Sequence, residues 1–317
     1  MSYAAVDIGG TKVAAGIVDR EGRILYQTRV PMNTLEDAAT GLECVERALK
    51  DVLSNPAGRG AEAIGIVAPG PLDPYTGVIL NPPNVTCWRD FALRDEVRSR
   101  FNLPVTLEND ANAAGLAEAL WGAGSGYHTV FYVTMGTGIG TGLVLDGKIY
   151  NGRTGAAPEG GHLPIDVHGP RCGCGKRGCI EALASGPAIA NRARLKISES
   201  ASRTTRILEL AGGDPKAITA EMVAKAWRAG DTLATEVLRE TMELVTIWLG
   251  AIIDLLEPDV IVIGGGVGEL ASHWFPEILD LLPRWTMNQR CAEIPLRLAS
   301  YSADAGIAGA AALCVRS

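Results

Sequence analysis

Twice along this chain a short apolar run ends in a glycine turn and resumes at once as another apolar run. Residues 3–8 (Y-A-A-V-D-I) stop at Gly9 and Gly10, and residues 11–18 (T-K-V-A-A-G-I-V) follow. Residues 130–134 lead into G-T-G-I-G-T-G at positions 136–142, and a strand pattern resumes over 142–145. Short apolar runs bounded by turn residues read as buried strands, and two of them across a turn read as a hairpin. The chain therefore folds as two halves that each begin with strand, glycine turn and hairpin, at residues 3–18 and 130–150. They share pattern and not identity, and read as an internal duplication with a cleft between two lobes.

The remaining segments fit this frame. Residues 22–30 continue the first hairpin as a third strand, and 35–53 form a helix with Leu42, Val45, Leu49 and Val52 on one face. Strands are expected at 63–67, 105–108 and 260–263, the last ending in Gly264-Gly265-Gly266. Helices are expected at 91–101, 111–120, 185–200, 217–229, 233–256 and 305–315. A length of 317 residues suits two such domains. The 38 glycines and 5% aromatics lean towards an α/β protein with many tight turns.

Charge and cysteine usage exclude several classes. A net charge of −7 argues against a nucleic-acid-binding face, which needs a basic stripe. The start M-S-Y-A-A-V-D-I-G-G has neither a basic n-region nor an apolar h-region, so no secretory signal is expected. The most apolar stretch, residues 244–263, is broken by Asp254, Glu257, Pro258 and Asp259 and does not suit a membrane span. Three of seven cysteines fall within eight residues, which in a cytoplasmic protein reads as metal ligation. Cys44, Cys87, Cys291 and Cys314 are scattered and read as buried or incidental.

Three glycine turns end predicted strands. In the first, Gly9 and Gly10 let the backbone approach a phosphate, Thr11 adds a hydroxyl, Lys12 a cation, and Asp7 a ligand for Mg²⁺. An ordinary hairpin turn is the alternative. The second, with Gly136, Thr137 and Gly138, departs from the dinucleotide fingerprint in spacing, and a strand follows it where that fingerprint needs a helix. The third, around Gly265 and Gly266, can open against a nucleotide base or ribose. Together they point to a nucleotide held between two lobes.

Glu108-Asn109-Asp110 ends a strand, where side chains project outward. Asp110 is a candidate general base, a role worth roughly 10²–10⁴-fold in rate, and Asn109 a substrate hydrogen-bonder. The same residues suit an Asx cap for the following helix, a task Asn109 or Asn112 can take from Asp110. His162, Cys172, Cys174 and Cys179 form a Cys₃His set suited to tetrahedral Zn²⁺. Four protein ligands leave no open position, so the zinc is structural; free thiols or a nucleic-acid knuckle are the alternatives. Glu159 and Glu181 bracket the cluster and suit a polyhydroxylated substrate, or else are solvated surface glutamates.

In order along the chain stand D-I-G-G-T-K, N-P-P-N-V-T-C-W, E-N-D-A-N-A-A, M-G-T-G-I-G-T-G, P-E-G-G-H, C-G-C-G-K-R-G-C-I-E and A-D-A-G-I-A-G-A-A. Over essentially its whole length the chain resembles the bacterial glucokinases and related sugar kinases of the ROK (repressor, open reading frame, kinase) family. The resemblance implies an α/β, two-lobed actin/hexokinase-like (ribonuclease H-like) fold with ATP and Mg²⁺ in the cleft and a small zinc knuckle beside the sugar. The expected lobes are 1–115 with 303–317, and 116–302 carrying the knuckle at 162–181.

Carried over by position, Asp110 resembles the base that deprotonates the sugar 6-hydroxyl. Asn84, Asn109, Glu159, His162 and Glu181 resemble sugar ligands, with one His162 ring nitrogen on zinc and the other towards the sugar. Gly9, Gly10, Thr11, Lys12, Gly136, Thr137 and Gly138 match the phosphate turns, and Gly265 and Gly266 the adenosine element. The family usually has A-G-E-x-G-H where this chain has Pro158 before Glu159, which bears on sugar choice. The implied partners are a small-molecule sugar and a nucleotide, with no nucleic acid or membrane, in a homodimer or homotetramer. The family's repressors carry a helix-turn-helix ahead of the first turn, and with that turn at residue 7 none is expected here. Kinases for mannose, fructose, allose or N-acetylmannosamine, a polyphosphate donor, and a non-catalytic sugar sensor are the rival readings.

Overall fold

The two hairpins are the starts of two five-stranded sheets with the same strand order. The computed structural model describes residues 1–32, 37–199 and 204–315. The first half holds β1 (Ser2–Ile8), β2 (Lys12–Asp19), β3 (Ile24–Pro31), α1 (Ala38–Ser54), β4 (Ala61–Ala68), β5 (Leu72–Asp73), β6 (Val78–Ile79), α2 (Leu93–Phe101), β7 (Val105–Asn109) and α3 (Asp110–Trp121). Next come β8 (Thr129–Met135), β9 (Ile139–Leu145), β10 (Lys148–Ile149), α4 (Ile180–Ala184), α5 (Gly186–Glu199), α6 (Arg206–Leu210) and α7 (Ala220–Arg228). The chain ends with α8 (Thr232–Leu256), β11 (Val260–Gly264), α9 (Gly266–Ala271), α10 (Phe275–Leu281), β12 (Leu296–Leu298) and α11 (Ala305–Ala312).

The first sheet runs β3-β2-β1-β4-β7 and the second β10-β9-β8-β11-β12. A separate two-stranded sheet pairs β5 with β6. In each large sheet the opening strand sits at the centre, its hairpin partner on one side and a later strand on the other. β1 pairs antiparallel with β2 and parallel with β4, and β4 pairs parallel with β7. That placement sends the ends of β1, β4 and β7 to one edge of the first sheet, the edge where sequence patterning puts the candidate residues.

Local chemistry explains the helices that flank the first sheet. Asp37 caps α1 by accepting the Thr40 N–H, and Leu42, Val45, Leu49 and Val52 are buried as the periodicity predicts. Positions 35 and 36 of that expected helix, and position 200 of the one at 185–200, lie outside the described residues. The small-residue helices α3 and α11 pack together in the same unit. α11 also lies so close on β4 that a Cβ at Gly65 would strike the Ala310 carbonyl oxygen.

The chain divides into two compact units. The first is Met1–Tyr132, Thr141–Pro158 and Ala299–Ser317, and the second Val133–Gly140 and Glu159–Leu298. The expected limits at 115 and 303 differ from these. All of α3 stays with the first unit because it packs on α11, and β8 and β9 each run from one unit into the other. The second glycine turn is also shorter than its sequence: β9 begins at Ile139, so only positions 136–138 form the turn. Among the described residues no helix is long and apolar enough to cross a membrane.

Candidate active site

In the first unit, the β1–β2 turn closes through the Gly9 N–H, which donates to the Lys12 carbonyl at 2.9 Å. A Cβ on Gly10 would sit 2.5 Å from the backbone oxygen of Asn84, so the turn packs closely on the N-P-P-N loop. Thr11, Lys12 and Asn84 are exposed. Asp7, at the end of β1, abuts the start of α11, where a Cβ on Gly306 would meet its carboxylate. Its pKa is raised to about 6, first by burial and then by the charge of Asp110, against the pull of Lys12 and Arg29.

At the end of β7 the capping question resolves in favour of Asn109. Its Oδ1 accepts the N–H groups of Ala111 at 2.9 Å and Asn112 at 3.2 Å. Asp110 thus opens α3 without having to cap it, although its Oδ1 also accepts from Ala111 at 2.8 Å. Solvent reaches Asp110, yet enough protein surrounds the carboxyl to thin its hydration. That desolvation outweighs the hydrogen bonds from Ala111 and Asn109, and the pKa lies above the usual carboxylate value. Glu108, buried beside it, is raised for the same reason.

In the second unit, Gly136 donates to the Gly138 carbonyl at 2.9 Å and accepts from the Gly186 N–H at 2.8 Å. Glu181 ties this turn to the cysteine cluster. Its Oε2 accepts the Ile139 N–H at 3.0 Å, while Oε1 lies 3.8 Å from His162 Nδ1 and accepts from the Cys172 thiol at 3.6 Å. His162 rides on a turn of residues 160–162 whose Gly160 carbonyl accepts the buried Trp248 indole N–H at 3.0 Å. Its Nδ1 stands 3.5 Å from Cys172 Sγ, and its Nε2 stands 4.0 Å from Glu159.

The ligand atoms of His162, Cys172, Cys174 and Cys179 all lie within 4.8 Å of one another. Cys174 and Cys179 Sγ are 3.7 Å apart, matching the roughly 3.8 Å edge of a tetrahedron with Zn–S near 2.3 Å. Gly178 makes the turn possible: its φ is +65°, and a Cβ there would strike the Asp166 carbonyl oxygen. Burial, with the neighbouring thiols, pushes Cys179 up to about 12. A dication is the natural counter-charge for three thiolates so crowded, and the donor set fits Zn²⁺. All seven cysteines are unbridged, and Cys44, Cys291 and Cys314 are buried.

Next to the second glycine turn lies a cavity of about 810 Å³, within the range of small-molecule sites. Gly136 and Thr137 form one wall, α9 from Gly266 another, and α5, α7 and the two residues before α7 the rest. Gly265, with φ +80°, turns the chain from β11 into α9, and nothing lies within 4 Å of a Cβ on Gly266. Sequence reasoning missed the wall built by Arg194, Thr219, Glu221 and Arg228. Arg194 donates to the carbonyls of Pro215 at 2.9 Å and Ile218 at 2.7 Å, fixing the loop before α7. Only Thr219, which caps α7 through Met222, carried a readable signal. Also missed were Asn112 and Asn151, which hydrogen-bond Glu108.

Two α/β sheets of this order, with these glycine turns, define a kinase fold of the hexokinase-like type. The chain belongs to the ROK family, which matches residues 3–317. It is 34% identical over 309 residues to the glucokinase of Streptomyces coelicolor, covering 97% of this chain and 96% of that one. It is 32% identical over 313 residues to the N-acetylmannosamine kinase of Citrobacter koseri, covering 99% and 98%. Among solved structures it is similar to a ROK family glucokinase from Streptomyces griseus in complex with glucose and AMPPNP. The TM-score there is 0.82 at 34% identity, with 99% of each chain covered.

Proposed function

We propose that this chain is an ATP-dependent glucokinase that phosphorylates the 6-hydroxyl of glucose, with Asp110 as general base. That the chain is a sugar kinase follows from its whole-length similarity to glucokinases and N-acetylmannosamine kinases. The observation that carries the base is the setting of Asp110: released from capping by Asn109, reachable by solvent, and raised in pKa by surrounding protein. A carboxylate so tuned takes a hydroxyl proton better than an ordinary one.

Asn84, Asn109, Glu159, His162 and Glu181 orient the sugar through its hydroxyls. Glu181 has one oxygen on the Ile139 N–H, and a carboxylate's further lone pairs remain for a hydroxyl. Gly9, Gly10, Thr11 and Lys12, with Gly136, Thr137 and Gly138, take the phosphates, and the cavity beside Gly265 and Gly266 takes adenosine. Asp7 would hold Mg²⁺, which when bound would neutralise phosphate charge. His162, Cys172, Cys174 and Cys179 would hold a structural zinc, which would fix the His162 ring without taking part in the chemistry. The attacking oxygen displaces ADP in line, inverting at phosphorus, as its proton passes to Asp110.

The second reading is a kinase for another hexose, N-acetylmannosamine foremost, supported by the 32% relative and by Pro158 next to Glu159. An ADP-release assay over a panel of hexoses, with ATP, other nucleotides and polyphosphate as donors, decides between them. Fastest turnover with glucose and ATP supports the proposal; preference for N-acetylmannosamine replaces it; no turnover with any pair leaves a sugar sensor. Light scattering is expected to give a homodimer or homotetramer.

A further inference from the structure

Glu108, next to last in β7, is 3% exposed, an uncommon place for a carboxylate in a strand. It is held by hydrogen bonds on both carboxylate oxygens. It accepts the backbone N–H of Asn109 at 2.8 Å, the Asn151 amide at 2.7 Å and the Asn112 amide at 3.4 Å. Asn112 Nδ2 also faces Asn151 Oδ1 at 3.1 Å and the Ala157 carbonyl at 3.0 Å. Asn112 is itself 3% exposed, and its Oδ1 has no hydrogen-bond partner. Turning that amide over would aim its oxygen at three acceptors, so the direction of its donors is fixed.

The same segment is held at further points. Ala157 N–H donates to the Asn151 carbonyl at 3.2 Å, and the Thr141 hydroxyl donates to the Pro158 carbonyl at 3.0 Å. One end of the network grips the peptide just before Asp110. The other grips residues 151–158, whose next residue in sequence is Glu159. All of these groups belong to the first unit. Buried, nearly satisfied polar networks specify one geometry, and a broken one leaves charged or polar groups unpaired.

We propose that Glu108, Asn112 and Asn151 are positioning residues for phosphoryl transfer, holding the Asn109-Asp110 peptide and the segment before Glu159 in one register. The inference rests on reading Asp110 as the base and Glu159 as a sugar ligand. Misplacing a reacting group by about 1 Å can lower a rate on the order of 10²-fold, so the network acts through kcat.

A charge swap tests it. Glu108→Gln alone turns an amide towards the amide of Asn151, and Asn151→Asp alone sets two carboxylates together. Combined, they restore the bonds in mirror image: the amide at 108 donates to the carboxylate at 151, which still accepts from Asn112. Each single variant is expected to lose kcat by about 10²-fold with the KM for ATP little changed, and the pair to recover to within about 10-fold of wild type. Melting curves recorded alongside separate folding from turnover. Cooperatively folded single variants with wild-type kcat, or a pair no faster than either single, would overturn the inference. If the single variants do not fold, the pair alone decides, since it must fold and turn over. A wild-type enzyme inactive on every sugar sinks the underlying reading and this inference with it, whereas an active wild type with unaffected variants sinks this inference alone.

Discussion

The two halves of this chain share a strand order and put opposite chemistry at the turns. In the first unit the strand ends carry carboxylates: Asp7 near the end of β1, then Glu108 and Asp110 around the end of β7, all raised in pKa chiefly by desolvation. In the second, the turn after β8 is glycine and threonine, and the turn after β11 is glycine beside a largely apolar cavity. Its charged groups lie outside those turns, in Glu181, the thiol cluster and the Arg194, Glu221 and Arg228 side of the cavity. The duplicated topology thus fixes where a ligand can approach, and the residues after each strand decide which ligand. Acidic ends suit a cation and a hydroxyl proton; open amides and an apolar wall suit phosphate and a purine.

Four perturbations strain this comparison. The largest concerns the cluster, because a structural zinc site contributes folding free energy directly. Cys174→Ser, at the exposed thiol of the cluster, is expected to lose bound zinc, lower the melting temperature and weaken sugar binding together. Metal analysis, melting and calorimetry check it, and a wild-type protein without zinc would break the cluster's assignment.

The glycines of the two halves should then respond differently. Gly10→Ala drives a methyl into the Asn84 backbone, so destabilisation of about 1–3 kcal/mol and weaker sugar binding are expected in denaturant titrations and KM. Gly266→Val projects into open cavity instead. Its expected signature is a KM for ATP raised about 10-fold, with stability and the KM for glucose changing less.

The smallest effect is a pH dependence of stability. The folded pKa of Asp7, about 6, exceeds its ordinary 3.8, so the fold favours the protonated form. That contribution is fully present below 3.8 and is lost as pH rises through about 6. In metal-free buffer Asp7→Asn is therefore expected to melt a few degrees above wild type at pH 7, with the gain vanishing near pH 4. A variant that melts lower at pH 7 would show that Asp7 is held charged by its neighbours.

Much of this was legible in the sequence because it rests on local signals. The strand, turn and hairpin at residues 3–18 show a short apolar period closed by glycine, and the Cys172, Cys174 and Cys179 spacing is itself ligand geometry. The strand order was not legible, since nothing local tells β1 to sit between β2 and β4. β5, β6, β12, α6, α9 and α10 are too short to show a period. The Glu108, Asn112 and Asn151 network joins residues 39 and 43 positions apart, and a lone Asn151 in a loop gives no sign of it. The division into units turned on α3 packing with α11, a contact between distant small-residue helices.

Asp110→Asn puts the central claim, that the acidic ends of the first unit do the proton chemistry, to its most direct test. Glucose affinity by calorimetry and ADP release at saturating glucose and ATP should be measured on the same preparation. The expected result is glucose binding close to wild type with turnover reduced by at least about 10²-fold. Turnover near wild type in a variant that still binds glucose would contradict it.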